Sequence, residues 1–197
     1  MALVLGLGSV AAVAQTSAPE QVVRDTTDRL MERLEAAGPQ VEQDSRLLYE
    51  IVDTTVMPVV DLDASARLAL GKHWKSASAE QQARFREDFR LLLLRAYATS
   101  LLEGRGRQIE YLPFRGQPKD CYVTVDTRLA PGRGQSALAL SYCLRLSGEQ
   151  WRLYDVRVEG VSLMISLRVT FDKEIERVGL EAFLDDLRRR VREAPGP

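Results

Sequence analysis

A chain of 197 residues with 45% apolar and 28% charged residues has the make-up of a globular protein, long enough for one substantial core or two small lobes sharing one. Its formal net charge of −1 leaves no global field to draw in nucleic acid or an anionic membrane. With a single histidine, multi-histidine metal sites and the HExxH motif are excluded.

Residues 2–13 are small, apolar and uncharged, and Ala12-Val13-Ala14 before Gln15 has the A-x-A form of a signal-peptidase site. The stretch lacks a basic n-region and is too short to span a bilayer. The expectation is a signal peptide over residues 1–14 and one domain over 15–197, with helices in 19–103, a sheet in 107–158 and helices in 161–193.

Val22, Val23, Thr26, Leu30 and Leu34 recur at helical spacing over residues 18–37, and Gly38-Pro39 stops the run. A second helix is predicted from about Gln43 toward Thr54, with Leu47, Leu48, Ile51 and Val52 on one side. Asp63 is placed to cap a short helix that ends at Gly71. Residues 68–102 organise the chain. Ser78 and Gln81 have the spacing of a capping box for a long helix. Along it Gln82, Phe85, Phe89, Leu92, Leu93, Ala96 and Ser100 form a stripe that Leu94, Tyr97 and Leu101 widen. Arg84, Arg86, Glu87, Asp88 and Arg90 take the other face. Four consecutive leucines need apolar neighbours nearly all round, or an apolar guest.

The second half changes character. Residues 107–114, 121–129, 136–146 and 150–158 are short, β-branched and aromatic, and turn residues separate them. They predict a four-stranded antiparallel meander. Cys121 and Cys143 fall in two of these strands, symmetrically about Gly132. The alternation puts Cys121 with Val123 and Val125, and gives Cys143 the parity opposite to Leu138, Leu140, Tyr142 and Leu144. A bulge near Gly132 to Gly134 would reconcile the two, so a disulfide stays open. Residues 161–178 and those after Gly179 read as two amphipathic helices, the last with Arg188, Arg189, Arg190 and Arg192 as a solvated face near a helix C-terminus. Helices, then an antiparallel sheet, then helices make this an α+β chain.

Catalytic signals are thin. No G-x-S-x-G elbow accompanies His73, which reads as a capping or packing residue. Gly104-Arg105-Gly106 and Gly132-Arg133-Gly134 lack the strand-to-helix setting of phosphate loops. Asp155 is either a buried base or a carboxylate bonded to Tyr154 or to backbone at the sheet rim, and the structural role is favoured because no second acid or base stands near it. The chain does not read as an enzyme, and neither a metal nor a cofactor is expected.

Three segments carry a family resemblance. They are residues 58–102, 109–116 and 151–187, and the motifs run in order: L-G-x-x-W at 70–74, S-x-E-Q-x-x-x-F-x-x-x-F at 78–89, and W-x-x-Y-D-V-x-V-E-G-V-S at 151–162. In this order, over residues 20–187, they resemble the MlaC family, the periplasmic phospholipid-binding proteins also known as toluene-tolerance auxiliaries. The chain departs from that pattern at His73 and at the two cysteines.

The resemblance implies a soluble carrier that moves glycerophospholipid between outer and inner membranes and so maintains outer-membrane lipid asymmetry. It implies bound phospholipid as cargo, and an outer-membrane lipoprotein–porin complex and an inner-membrane MCE-domain ABC transporter as partners. It also implies an NTF2-like sheet packed with a helical lobe around an apolar pocket. A monomer suits a diffusing shuttle.

Periodicity and motif membership nominate Val56, Leu70, Trp74, Phe85, Phe89, Leu92, Leu93, Tyr97, Val123, Val125, Leu138, Leu140, Tyr142, Tyr154, Val156, Val158, Val161 and Leu163 as the pocket lining. Lys72, Lys75 and Arg115 are nominated to meet the phosphate. Three alternatives remain: a carrier of another apolar ligand such as an isoprenoid or hopanoid, an NTF2-like enzyme using Asp155 as base with a tyrosine as oxyanion donor, and an interaction module with a filled core.

Overall fold

A computed structural model describes residues 18–115, 122–132 and 136–193. The signal-peptide stretch, Cys121, and Arg133 and Gly134 of the hairpin lie outside the described residues.

The first helix, α1 (Pro19–Ala37), starts with Pro in its first turn, where a missing N–H costs nothing, and ends at Gly38 with φ 58°. After the short α2 (Gln40–Gln43), α3 (Ser45–Thr55) is capped by Asp44, which accepts the N–H groups of Arg46 and Leu47 at 2.9 and 3.3 Å.

The next helix, α4 (Leu62–Leu70), is capped by Asp61 and not by Asp63: Asp61 accepts the Ala64 N–H at 2.9 Å. Asp63 pairs instead with Arg67 and Arg86. Gly71 ends α4 at φ 57° and lies under the Arg168 side chain, so a Cβ there would come within 2.7 Å of Arg168 Cδ. A one-turn α5 (Lys72–Ser76) follows and buries Trp74. The long α6 (Ala79–Glu103) opens with the capping box that its sequence spells: Gln81 N–H to Ser78 Oγ at 3.1 Å, and Ser78 N–H to Gln81 Oε1 at 2.9 Å.

Among the described residues five antiparallel strands then run in chain order: β1 (Ile109–Tyr111), β2 (Tyr122–Leu129), β3 (Leu138–Ser147), β4 (Gln150–Val158) and β5 (Val161–Ser162). The meander is the expected one with a fifth, two-residue strand added, because residues 161–162 pair with β4 before the helix begins. The first strand is shorter than the predicted 107–114 and stops ahead of Pro113, which has no N–H to give a ladder.

Register settles the hairpin faces. Val123 stands opposite Leu144 and Val125 opposite Tyr142, so Cys143 stands opposite Thr124. Cys143 is a buried free thiol, raised above its ordinary pKa chiefly by burial. A bulge is present between β3 and β4, at Cys143/Leu144.

Two helices close the chain. Ser162 Oγ accepts the Ile165 N–H at 3.0 Å to cap α7 (Leu163–Val178), and Gly179 separates it from α8 (Leu180–Glu193). The arginines of α8 are more than a solvated face. Arg188 and Arg192 reach Asp88 of α6 at 3.2 and 3.4 Å, and that carboxylate, assigned by spacing to the polar side, is fully buried. Among the described residues, no helix is long and apolar enough to cross a membrane.

Three apolar clusters result. The largest joins α4, α5, α6, α7 and α8 around Phe85, Phe89, Phe171 and Phe183, whose ring centroids lie 5.1–6.4 Å apart in stacked, edge-on and tilted arrangements. A second joins α1, α2, α3 and the C-terminal half of α6 through Leu34, Val41, Leu48, Val52, Leu94 and Ala98. A third, with Val123, Val125, Leu144 and Trp151, seats Val23 of α1 on the sheet.

Candidate lipid-binding cavity

Between these clusters lies a partly open cavity of about 430 Å³. From α1 it is lined by Val22, Val23, Thr26, Thr27, Leu30 and Met31, from α3 by Val52, and from the segment that follows by Val56, Met57, Val59 and Val60. The C-terminal half of α6 adds Leu93, Leu94, Tyr97, Ala98, Ser100 and Leu101. The inner face of the sheet adds Ile109, Leu129, Leu138, Leu140, Tyr142, Leu144, Leu153, Tyr154, Val156 and Val158, and the start of α7 adds Leu163 and Met164. Strand alternation explains the sheet contribution. Leu138, Leu140, Tyr142 and Leu144 are two apart on β3, and their partners on β2 and β4 are apolar or threonine.

Ten of the nominated residues therefore come together: Val56, Leu93, Tyr97, Leu138, Leu140, Tyr142, Tyr154, Val156, Val158 and Leu163. The others are elsewhere. Leu70, Trp74, Phe85 and Phe89 belong to the phenylalanine cluster, and Leu92 packs against it. Val123 and Val125 share the face of Leu144 and Tyr142 but are packed into the third cluster. Val161 is 60% exposed, because Glu159 and Gly160, at φ 50° and 79°, turn it outward. None of the nominated cations lines the cavity. Lys72 is held by Asp172 and Glu176 at 2.9 and 2.7 Å on the α5–α7 surface, and Lys75 and Arg115 are exposed. The lone histidine bonds Asp172 through Nε2 at 2.7 Å, a packing contact between α5 and α7.

The largest omission is α1. Its apolar spacing was legible, but nothing local distinguishes a helix that roofs a cavity from one that roofs a core. Polar groups along the wall are few and mostly spent. The Tyr142 hydroxyl is pushed up to about 12, first by burial and then by Tyr111, with Thr127 opposing. Tyr97 is raised by burial and then by the charge of Asp155, and Tyr154 mainly by burial. All three stay neutral hydroxyls at ordinary pH.

Asp155 borders the cavity but works as a helix cap. Its Oδ1 accepts the Met164 N–H at 3.1 Å, beside the Ser162 cap, and the residue is 5% exposed. Ser65 Oγ donates to the Tyr154 carbonyl at 2.8 Å, and the Asp61 N–H donates to the Leu153 carbonyl at 2.7 Å. The Y-D and E-G-V-S parts of the third motif thus clamp α4 and α7 onto the bulged part of β4. With one oxygen bonded to backbone, Asp155 takes the structural role that its sequence setting favours.

The family model for MlaC protein matches residues 24–189. The chain is 26% identical over 155 residues to the intermembrane phospholipid transport system binding protein MlaC of Haemophilus influenzae, covering 78% of this chain and 72% of that protein. It is 28% identical over 167 residues to toluene tolerance protein ttg2D of Pseudomonas putida, covering 84% and 76%. Its fold is similar to that of a phospholipid-binding protein from Ralstonia solanacearum solved in complex with a phospholipid. The TM-score is 0.79 at 25% identity, covering 89% of this chain and 99% of the other. With a family match across most of its length and a cavity built from the inner faces of its helices and sheet, the chain belongs to the MlaC family.

Proposed function

We propose that the protein is a periplasmic phospholipid carrier that holds acyl chains in the cavity between α1, α3, α6 and the sheet, and shuttles glycerophospholipid between the outer and inner membranes. The carrying observation is the cavity itself: large, partly open and lined almost wholly by aliphatic side chains and neutral tyrosines. The lipid-bound neighbour in the same fold supports the reading.

Each methylene removed from water contributes about 0.8 kcal/mol, so a long chain gains on the order of 10 kcal/mol from enclosure. A phosphate buried without partners would forfeit much of that, and among the described residues the lining offers no cation to receive it. The head group therefore stays outside. The sheet end carrying Ile109, Leu138 and Val158 is half-buried, whereas Trp151 and Val123 fill the other end, which favours an opening at the former. The protein acts without catalysis, and its partners are membrane complexes that deliver and accept lipid, an outer-membrane lipoprotein–porin assembly and an inner-membrane MCE-domain ABC transporter. A signal peptide at residues 1–14 exports it, and 15–197 act as one domain.

Native mass spectrometry of protein from its host, with organic extraction, tests this. Adducts with diacyl phospholipid masses are expected. An apo mass with no uptake from supplied phospholipid vesicles would overturn the proposal, and an extracted isoprenoid or hopanoid would redirect it.

A further inference from the structure

We propose that the Tyr97 hydroxyl is a specificity-determining group of the cavity: it donates a hydrogen bond to the carbonyl oxygen of an acyl ester, so that ester-linked lipids are held in preference to ether-linked or pure hydrocarbon ones. This rests on the carrier reading above. Apolar pockets fix their ligands through a few placed polar groups. Among the described residues, the other side-chain hydroxyls of this wall are occupied or turned away. Thr26 Oγ donates to the Val22 carbonyl at 2.7 Å, and Ser65 Oγ to the Tyr154 carbonyl at 2.8 Å. Thr27 has the Tyr111 hydroxyl beside it, and Tyr142 has Thr127. Ser100 is exposed, so water can serve it. Tyr154 stands edge-on to exposed Tyr122 and feels Cys143 and Arg157, neither of which lines the cavity. Tyr97 differs from all of these. It is half-buried in the wall, and among the described residues no hydrogen bond takes up its hydroxyl.

A phenol held against aliphatic side chains without a partner carries a desolvation cost that a ligand bringing an acceptor relieves. The kind of acceptor follows from the surroundings. Burial and then the charge of Asp155 keep Tyr97 protonated, so it is a donor. The same carboxylate would repel a phosphate or a fatty-acid carboxylate brought to this point, where screening by water is weak. The acceptor is therefore uncharged. A methylene chain offers none, and an ether oxygen accepts less strongly than a carbonyl. The two ester carbonyls of a glycerophospholipid are neutral, strong acceptors at the root of its acyl chains.

Depth agrees with chemistry. Ser100, one turn along α6, lines the cavity and is exposed, whereas Asp155 is 5% exposed. Tyr97 thus stands between the rim and the interior, the level that ester groups reach when the chains are enclosed and the head group stays outside. Its backbone is fixed as well, because Leu94 and Ala98 on either side of it are buried in the cluster that joins α6 to α1 and α3. A donor held in place loses little freedom when the ligand arrives.

The test is competitive loading from vesicles containing equal amounts of dipalmitoyl phosphatidylcholine and its diether analogue, dihexadecyl phosphatidylcholine, with the bound lipids read by native mass spectrometry. Wild type is compared with Tyr97→Phe, which keeps the ring, and with Tyr154→Phe as control. The two lipids also differ in apolarity, so the deciding quantity is the change in the ester-to-ether ratio between proteins, in which that difference cancels. Tyr97→Phe should lower the ratio about three- to tenfold, the effect of one neutral hydrogen bond, through weaker holding of the diester alone. Tyr154→Phe should leave it unchanged. An unchanged ratio in Tyr97→Phe, an equal fall in both variants, or a loss of both lipids alike from Tyr97→Phe would overturn the proposal. Wild type that takes up neither lipid would remove the carrier reading and this inference with it. Wild type that loads both, with a ratio indifferent to Tyr97, would leave the carrier standing and remove only the hydrogen bond.

Discussion

The two halves of α6 face two different interiors. Its N-terminal half sends Phe85 and Phe89 into a core that Phe171, Phe183 and Leu187 fill to contact. Its C-terminal half sends Leu93 and Tyr97 into empty space. The residue types differ accordingly. Planar rings interlock from three helices in the first region, whereas the second brings a sheet face against helices carrying Val, Thr, Leu and Met, which reach too little to meet across the gap. A solid core secures the scaffold, and a hollow is affordable only beside it.

That contrast breaks most visibly at Phe85. Phe85→Ala should destabilise the protein by about 3–5 kcal/mol, because a fully buried ring is lost from a well-packed cluster; thermal unfolding would show it. In the hollow region the opposite result is expected. Leu140→Trp has room for its ring, so stability should change by less than about 1 kcal/mol while bound lipid disappears from native mass spectra. A stability loss as large as that of Phe85→Ala would mean that the cavity wall is solid core.

The clamp between the two regions should give an intermediate effect. Asp155→Ala removes a buried cap and is expected to cost about 1–2 kcal/mol in denaturant unfolding, with Asp155→Asn recovering much of it through the same acceptor oxygen. Full retention of stability in Asp155→Ala would remove the clamp from the account.

The smallest effect belongs to the α5–α7 surface. The Lys72 ammonium, and then His73, hold the Asp172 carboxyl below its ordinary pKa. A depressed carboxylate stabilises the fold above the pKa it has when unfolded, and the gain is lost as pH falls through the folded value. The unfolding midpoints of wild type and Asp172→Asn should therefore differ at pH 7 and converge below about pH 4. A difference that persists unchanged in acid would assign it to packing.

Much of the fold was legible. The Ser78/Gln81 box, the Gly71 and Gly179 stops and the alternation on β3 each operate over a few residues, where local chemistry dominates. Errors arose where two local readings compete. Asp61 and Asp63 both suit a cap, and the Asp61 N–H is already committed to the Leu153 carbonyl, which selects it. Asp88 sits at a polar position of α6, yet α8 brings two arginines over it. The cavity was legible only in part for the same reason. Phe89 and Leu93 are four residues apart on one helix and equally apolar, and spacing cannot say which of them faces atoms and which faces space.

The sequence by itself determined the α+β order, the antiparallel meander, the helix ends and the family, because these depend on neighbours in the chain and on motifs in sequence. The tertiary structure alone decided that α1 roofs the cavity, that Asp155 is a helix cap, that Val161 points outward and that the α8 arginines neutralise a buried acid. Each depends on which element arrives opposite a given face, and a hollow is a property of the distance between two faces. Periodicity records that a face avoids water, and it is silent on what stands across from it.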